Sequence, residues 1–183
     1  DLANRHGVER ALLVTDENLA ASGVLDGPRE TLESAGVAIE VFDGIAGEPT
    51  LSMLSDAAEA VDAGDHDLVA GVGGGSSMDT AKVASALADS SKGVREILGM
   101  DNVAGRERAL ALLPTTAGTG SEVTHIGVFG EMDSDTKHVV YADPLFADVA
   151  IVDPSLTETM PQQVAGATGM DALTHALECY VST

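Results

Sequence analysis

Residues 67–88 read DLVAGVGGGSSMDTAKVASALA, and the fold is decided within them. DLVAGV (67–72) is a short apolar run of the kind that forms a buried β-strand. Gly73, Gly74 and Gly75 follow at its carboxyl end, and Ser76 and Ser77 open a helical pattern that continues to Ala88. The same alternation extends upstream. ALLVTD (11–16) predicts a buried strand ending on an acid, residues 18–35 a helix closed by Gly36, and VAIEVF (37–42) the next strand. Residues 51–63 predict a helix with Leu51, Leu54, Ala58 and Val61 on one face and Gly64 after it. Two strand–helix alternations leading into a third strand imply a parallel sheet with helices on its faces.

Downstream the pattern loosens. Residues 92–108 carry charges and glycines and read as a loop with one helical turn, whereas ALALLP (109–114) is another buried strand ended by Pro114. TTAGTGSE (115–122) has no apolar periodicity and reads as a loop. Residues 125–131 and 137–141 suit a hairpin across the turn-rich EMDSD, and VAIVD (149–153) is the last strand. Pro161 stands where a helix would begin, with Thr159 or Met160 before it. Residues 1–159 are therefore expected to form one α/β domain and residues 160–183 to start a helical one.

With 183 residues, 44% of them apolar, the chain can bury a core. Its formal charge is −21, from 30 acidic residues against nine basic ones, six Arg and three Lys. Nucleic acid and anionic lipid both need clustered Lys and Arg to displace counterions, so neither is an expected partner. The acidity suggests adaptation to a high-salt cytoplasm, where counterions screen self-repulsion. One cysteine, Cys179, excludes an internal disulfide framework and suits an intracellular, cytoplasmic location. There is no signal-peptide pattern and no run near the roughly twenty apolar residues that span a bilayer. The chain starts at Asp1 without Met and lacks a helix stop after Tyr180, so it reads as part of a longer polypeptide.

Four places carry candidate chemistry. Glycines without β-carbons let backbone N–H groups approach a pyrophosphate, and the positive end of the following helix favours an anion, which points to the turn of Gly73, Gly74 and Gly75 with Ser76 and Ser77 after it. The spacing is not G-x-G-x-x-G, and a tight turn is the plainer alternative. Asp79, in the first turn of that helix, is a further candidate cofactor contact, or simply complements the helix dipole. The loop containing Thr115, Thr116 and Thr119 offers hydroxyls at the sheet's carboxyl edge, where α/β proteins bind ligands, or is an ordinary connection. Asp16 either accepts hydrogen bonds from ribose hydroxyls or caps the next helix; spacing alone favours the cap. Asp171 and His175, four residues apart on a helix, can converge on one divalent cation as half of a metal site, or coincide by accident.

VGGGSSMDTAK, LPTTAGTGSEVT and IVDPSLTETMPQQVAGATGMDALTHALECY together, in this order and spacing, resemble the iron-containing (group III) alcohol dehydrogenases, from ALLVTD to the end of the chain. The resemblance implies a Rossmann-like nucleotide-binding domain over residues 1–159, then the first helix of an all-helical metal-binding domain. It implies an enzyme moving hydride between a small alcohol or aldehyde and NAD, with NADP disfavoured by repulsion between Asp16 and a 2′-phosphate. Asp16 would meet the adenosine ribose, Gly74, Gly75 and Ser76 the pyrophosphate, and Thr115, Thr116 and Thr119 the nicotinamide half.

Lys137 falls where such proteins often carry a lysine near the cofactor, although a surface lysine on a hairpin explains it equally. Asp171 and His175 match the first two ligands of a divalent metal, Fe2+ or Zn2+, that would bind the alcohol oxygen and lower its pKa. The other two ligands are histidines further along, which His6, His66, His125 and His138 do not match in context. Where many relatives have Asn-Pro-Thr, this chain has Glu48-Pro49-Thr50, placing a carboxylate near a diphosphate unless it is turned away or screened. Homo-oligomers are common among such enzymes. On its own the 183-residue chain is expected not to turn over; a nucleotide-binding module or split subunit without catalysis is the alternative.

Overall fold

A computed structural model describes residues 7–131 and 134–182. Five strands form a parallel sheet: β1 (Arg10–Asp16), β2 (Ala38–Ile45), β3 (Leu68–Gly73), β5 (Ala109–Pro114) and β8 (Val149–Ala150), in the spatial order β2-β1-β3-β5-β8. Helices α1 (Glu17–Ala21) and α2 (Asp26–Ser34) connect β1 to β2, α3 (Leu51–Ala63) connects β2 to β3, and α4 (Gly75–Ala88) follows β3. The order makes the sheet Rossmann-like with its reversal between β1 and β3. The chain leaves β1 toward one edge through β2 and crosses back to build the other, so a crevice opens at the carboxyl ends of β1 and β3.

Side chains alternate along each strand, so successive residues feed opposite faces. Leu12, Val14, Val69, Leu110 and Leu112 pack with Leu54 and Val61 of α3 and Met78 and Ala81 of α4. Ala11, Leu13, Ala70, Val72 and Leu113 form the other layer with Leu25 and Leu32 beside α2. Both faces are apolar, which is why these strands read as unbroken hydrophobic runs.

A small second sheet, β4 (Gly99–Met100), β7 (Ser134–Tyr141) and β6 (Ile126–Glu131), lies against α4 through Phe129 and Val140. β6 and β7 are antiparallel, as the hairpin reading expected; Met132 and Asp133 of the EMDSD stretch lie outside the described residues. Residues 80–87 of α4 are all buried, enclosed by the sheet, α3 and this hairpin. Helix α5 (Gln162–Val181) follows Pro161 and buries none of its residues.

The helix expected over 18–35 is two. Gly23 adopts φ +83° and Ser22 Oγ donates to Leu19 O, turning the chain so that Leu25 enters the core. β8 stops at Ala150 rather than Asp153, because Asp153 instead accepts from Ser155 N and starts a 3₁₀ turn over Pro154–Thr157. The expected loop over 92–108 contains β4, two residues paired parallel to β7.

Gly71 lets β3 and α4 approach closely: a Cβ there would lie 2.8 Å from Ala81 Cβ and 2.9 Å from a Leu112 methyl. Gly71→Ala is expected to cost about 1–3 kcal/mol through overpacking. Gly105→Ala, where a Cβ meets nothing within 4 Å, is expected to change little. Urea unfolding midpoints of the two variants check both outcomes.

Candidate functional site

The site grows from the turn after β3. Gly73 sits at φ +155° with its Cβ position 2.6 Å from Ser77 Oγ, so only glycine lets the strand turn this tightly into α4. Gly74 is the N-cap and contributes no capping side chain, and because the helix starts at Gly75, Asp79 lies beyond the first turn where it was expected. The N–H groups of the first turn of α4 thus have neither an intrahelical partner nor a cap, which suits an anion.

Thr115 N donates to Gly73 O at 2.9 Å, tying the end of β5 to this turn. Thr116 stands 3.5 Å from the Cβ position of Gly74, and Thr119 stands 3.0 Å from that of Gly75. The bare glycines are what allow the threonine loop to rest on the turn. At the end of β1, Asp16 Oδ1 accepts from Leu19 N at 3.0 Å and caps α1. The cap favoured on spacing is present, and the same carboxylate also lines the cleft.

Asp16, Gly74, Ser76, Thr115 and Thr116 meet in one cleft of about 630 Å³, closed in part by Pro161 and Val164 at the start of α5. The volume falls in the range of small-molecule and cofactor sites. A larger cavity of about 820 Å³ lies over the α2 side of the sheet, against Leu13, Ala70, Val72 and Leu113. Ser22, Asp26, Thr31, Asp153, Ser155 and Thr159 line it too, but none of the candidate cofactor or metal residues does, so the smaller cleft is the candidate.

Sequence reasoning missed Asn18, Ala46, Gly47, Thr159 and Met160 in the cleft wall. Asn18 follows β1 at the reversal in strand order, and Ala46 and Gly47 follow the neighbouring β2; their place after strand ends was the available signal.

Asp79 is not in the cleft lining. Its Oδ1 accepts from Ser121 Oγ at 2.5 Å and lies 2.9 Å from Lys82 Nζ, and its Oδ2 accepts from Val128 N at 3.1 Å. Lys82, the last residue of VGGGSSMDTAK but given no role from sequence, has no solvent exposure. Burial pushes its ammonium below the ordinary lysine value, opposed by the Asp79 carboxylate.

Lys137 Nζ lies 2.6 Å from Glu48 Oε1 in an exposed pair. The unusual acid is therefore neutralised by the lysine that the resemblance places near the cofactor. Asp171 Oδ1 and His175 Nε2 are 3.5 Å apart on one face of α5, both about half exposed. No group of three or more metal-binding side chains occurs among the described residues. A carboxylate and an imidazole on one helical face suit a divalent cation and furnish two ligands.

The other histidines are engaged elsewhere. His66 is buried with Nδ1 3.2 Å from Val61 O, His138 lies 3.2 Å from Glu131, and the His125 ring packs against Tyr141 and Phe146. His6 lies outside the described residues. Among the described residues no helix is long and apolar enough to cross a membrane.

Comparison with known proteins gives a consistent result. The family description "Iron-containing alcohol dehydrogenase" matches residues 1–154. Long-chain-alcohol dehydrogenase 1 of Geobacillus thermodenitrificans is 43% identical over 181 residues, covering 97% of this chain and 45% of that protein. The chain thus spans about half the length of the curated relatives it matches. The crystal structure of a 1,3-propanediol oxidoreductase superposes with a TM-score of 0.91 at 32% identity, covering 97% of this chain and 47% of that one. The sulfoacetaldehyde reductase of Bifidobacterium kashiwanohense, solved in complex with NAD+, superposes with a TM-score of 0.85 at 30% identity, with the same coverage.

The two roles of Asp16 separate by substitution. Asp16→Ala is expected to lose the α1 cap and about 1 kcal/mol of stability, whereas Asp16→Asn, which can still cap, stays within a few tenths. Urea unfolding of both variants measures this.

Proposed function

This chain belongs to the iron-containing alcohol dehydrogenase family, and from that premise we propose that it is the nucleotide-binding part of a metal-dependent dehydrogenase moving hydride between a small alcohol or aldehyde and NAD. The observation that carries the reading is the convergence of Asp16, Gly74, Ser76, Thr115 and Thr116 in one cleft at the β1/β3 reversal. The relative solved with NAD+ supports the cofactor.

Each residue has a task its surroundings suit. The first-turn N–H groups from Gly75 onward bind the diphosphate, and the bare Gly74 and Gly75 let it come close. Asp16 keeps Oδ1 on the α1 cap and turns Oδ2 to the ribose hydroxyls, so a 2′-phosphate meets a carboxylate. Thr115, Thr116 and Thr119 offer hydroxyls to the nicotinamide half. Glu48 no longer repels the diphosphate at full charge, because Lys137 is paired with it.

Asp171 and His175 hold a divalent cation, iron or zinc, together with ligands from outside the described residues. When bound, the nicotinamide supplies the hydride acceptor and the cation the Lewis acid. The two exposed ligands favour a second reading for the 183-residue chain alone: a module that binds nucleotide without turnover.

Calorimetric titration with NAD+ and NADP+ tests the proposal. NAD+ is expected to bind more tightly, and Asp16→Asn to narrow that preference by about tenfold, equivalent to about 1.4 kcal/mol. Failure to bind NAD+, or a wild-type preference for NADP+, would sink the reading. In the full-length form, Asp171→Ala with His175→Ala is expected to abolish alcohol-dependent NADH formation while nucleotide binding persists.

A further inference from the structure

We infer that the Asp79–Lys82 pair positions the nicotinamide half of the cleft, by fastening the threonine loop and the segment after it to the helix that carries the diphosphate turn; this rests on the nucleotide-binding reading above. Lys82 is wholly buried in the middle of α4. Its ammonium donates to Ser121 O at 3.0 Å, Ser121 Oγ at 2.7 Å, Thr124 Oγ1 at 3.1 Å and Ile126 O at 2.5 Å. Asp79 adds Ser121 Oγ and Val128 N. Every partner outside α4 belongs to one stretch, residues 121–128.

That arrangement is a poor route to stability alone. Taking a carboxylate and an ammonium out of water costs several kcal/mol per ion, and an apolar side chain of similar size would fill the same space without that cost. A buried pair with its polar atoms satisfied does, however, hold its neighbours in one geometry.

The geometry reaches the edge of the cleft in two steps, ending at Gly75, which is outside the lining but stands between its lining residues Gly74 and Ser76. Ser121 N donates to Thr119 Oγ1 at 3.2 Å, so fixing Ser121 fixes Thr119. Thr119 in turn stands 3.0 Å from the Cβ position of Gly75, in the first turn of α4. One helix therefore presents its first turn to the diphosphate and, about one turn further on, clamps the loop that carries the threonines.

The loop is also held from its other side. A Cβ at Gly118 would lie 2.6 Å from Thr168 O, so α5 rests on the loop's backbone one turn before Asp171. Displacing the loop would disturb the nicotinamide contacts and the seat of the metal-binding helix together, while the diphosphate turn stays in place.

The experiment compares NAD+ with ADP-ribose, which shares the adenosine and diphosphate and lacks the nicotinamide. Lys82→Met is expected to weaken NAD+ about fivefold or more beyond any loss for ADP-ribose. Amide hydrogen exchange at residues 121–128 is expected to accelerate in a protein whose circular dichroism stays native. Ser121→Ala removes the hydroxyl shared by both charges at small risk to folding, and should show the same split at about two- to threefold; it decides the matter if Lys82→Met does not fold. Equal loss of both ligands, or no loss of NAD+ in folded variants, overturns the inference alone. A wild-type protein that binds neither ligand overturns the nucleotide reading and the inference with it.

Discussion

The close contact between β3 and α4 governs the carboxyl edge of this molecule. Gly71 brings the strand against Ala81, and Gly73 turns it into the helix without room for a side chain. Because α4 is then enclosed by the sheet, α3 and the β6–β7 hairpin, it cannot shift without disturbing several layers. The diphosphate turn, the buried Asp79–Lys82 pair and the threonine loop all take their places from this helix. The cleft is thus built on a rigid core element, although several of its lining groups lie in loops.

The few cations of this acidic chain stand at structural joints. Arg108 reaches Asp89 and donates to His66 O, Arg106 reaches Asp148 and Pro144 O, and Arg10 reaches Glu40 and Gly64 O. Each ties a loop or strand start to a neighbouring element through backbone carbonyls as well as a carboxylate. The Arg10–Glu40 pair is exposed and contributes little by charge alone, whereas Arg106 and Arg108 are largely buried and hold their carboxylates and carbonyls out of water. Lys137 differs in neutralising an acid beside the cleft rather than joining elements.

Helix α5 has a different environment. Met170, Leu173, Leu177, Tyr180 and Val181 are exposed along it, beside Asp171 and His175. Its first turns close the cleft through Val164, and Gly118 fits against Thr168, so its base is seated while the turns carrying Asp171 and His175 face solvent.

Much was legible in the sequence alone. Strand and helix alternation, the glycine turn, the loop at the sheet edge and the i, i+4 ligand pair all follow from periodicity and backbone preference within a few residues. Asp16, Gly74, Ser76, Thr115 and Thr116 were singled out because they stand where parallel strands end, and they line one cleft. The break at Gly23, the short β8 and the two-residue β4 were not legible, since each depends on which neighbour captures a backbone group. Asp79 read as a cofactor contact or a dipole partner, and its partners Ser121 and Val128 were hidden because they lie more than forty residues away. Lys82 gave no local signal, and Glu48 looked unscreened until folding brought Lys137 to it. Hydrophobic pattern is written locally and sets the elements; the pairing of charges depends on burial and on which surfaces meet, and only the packed chain decides that.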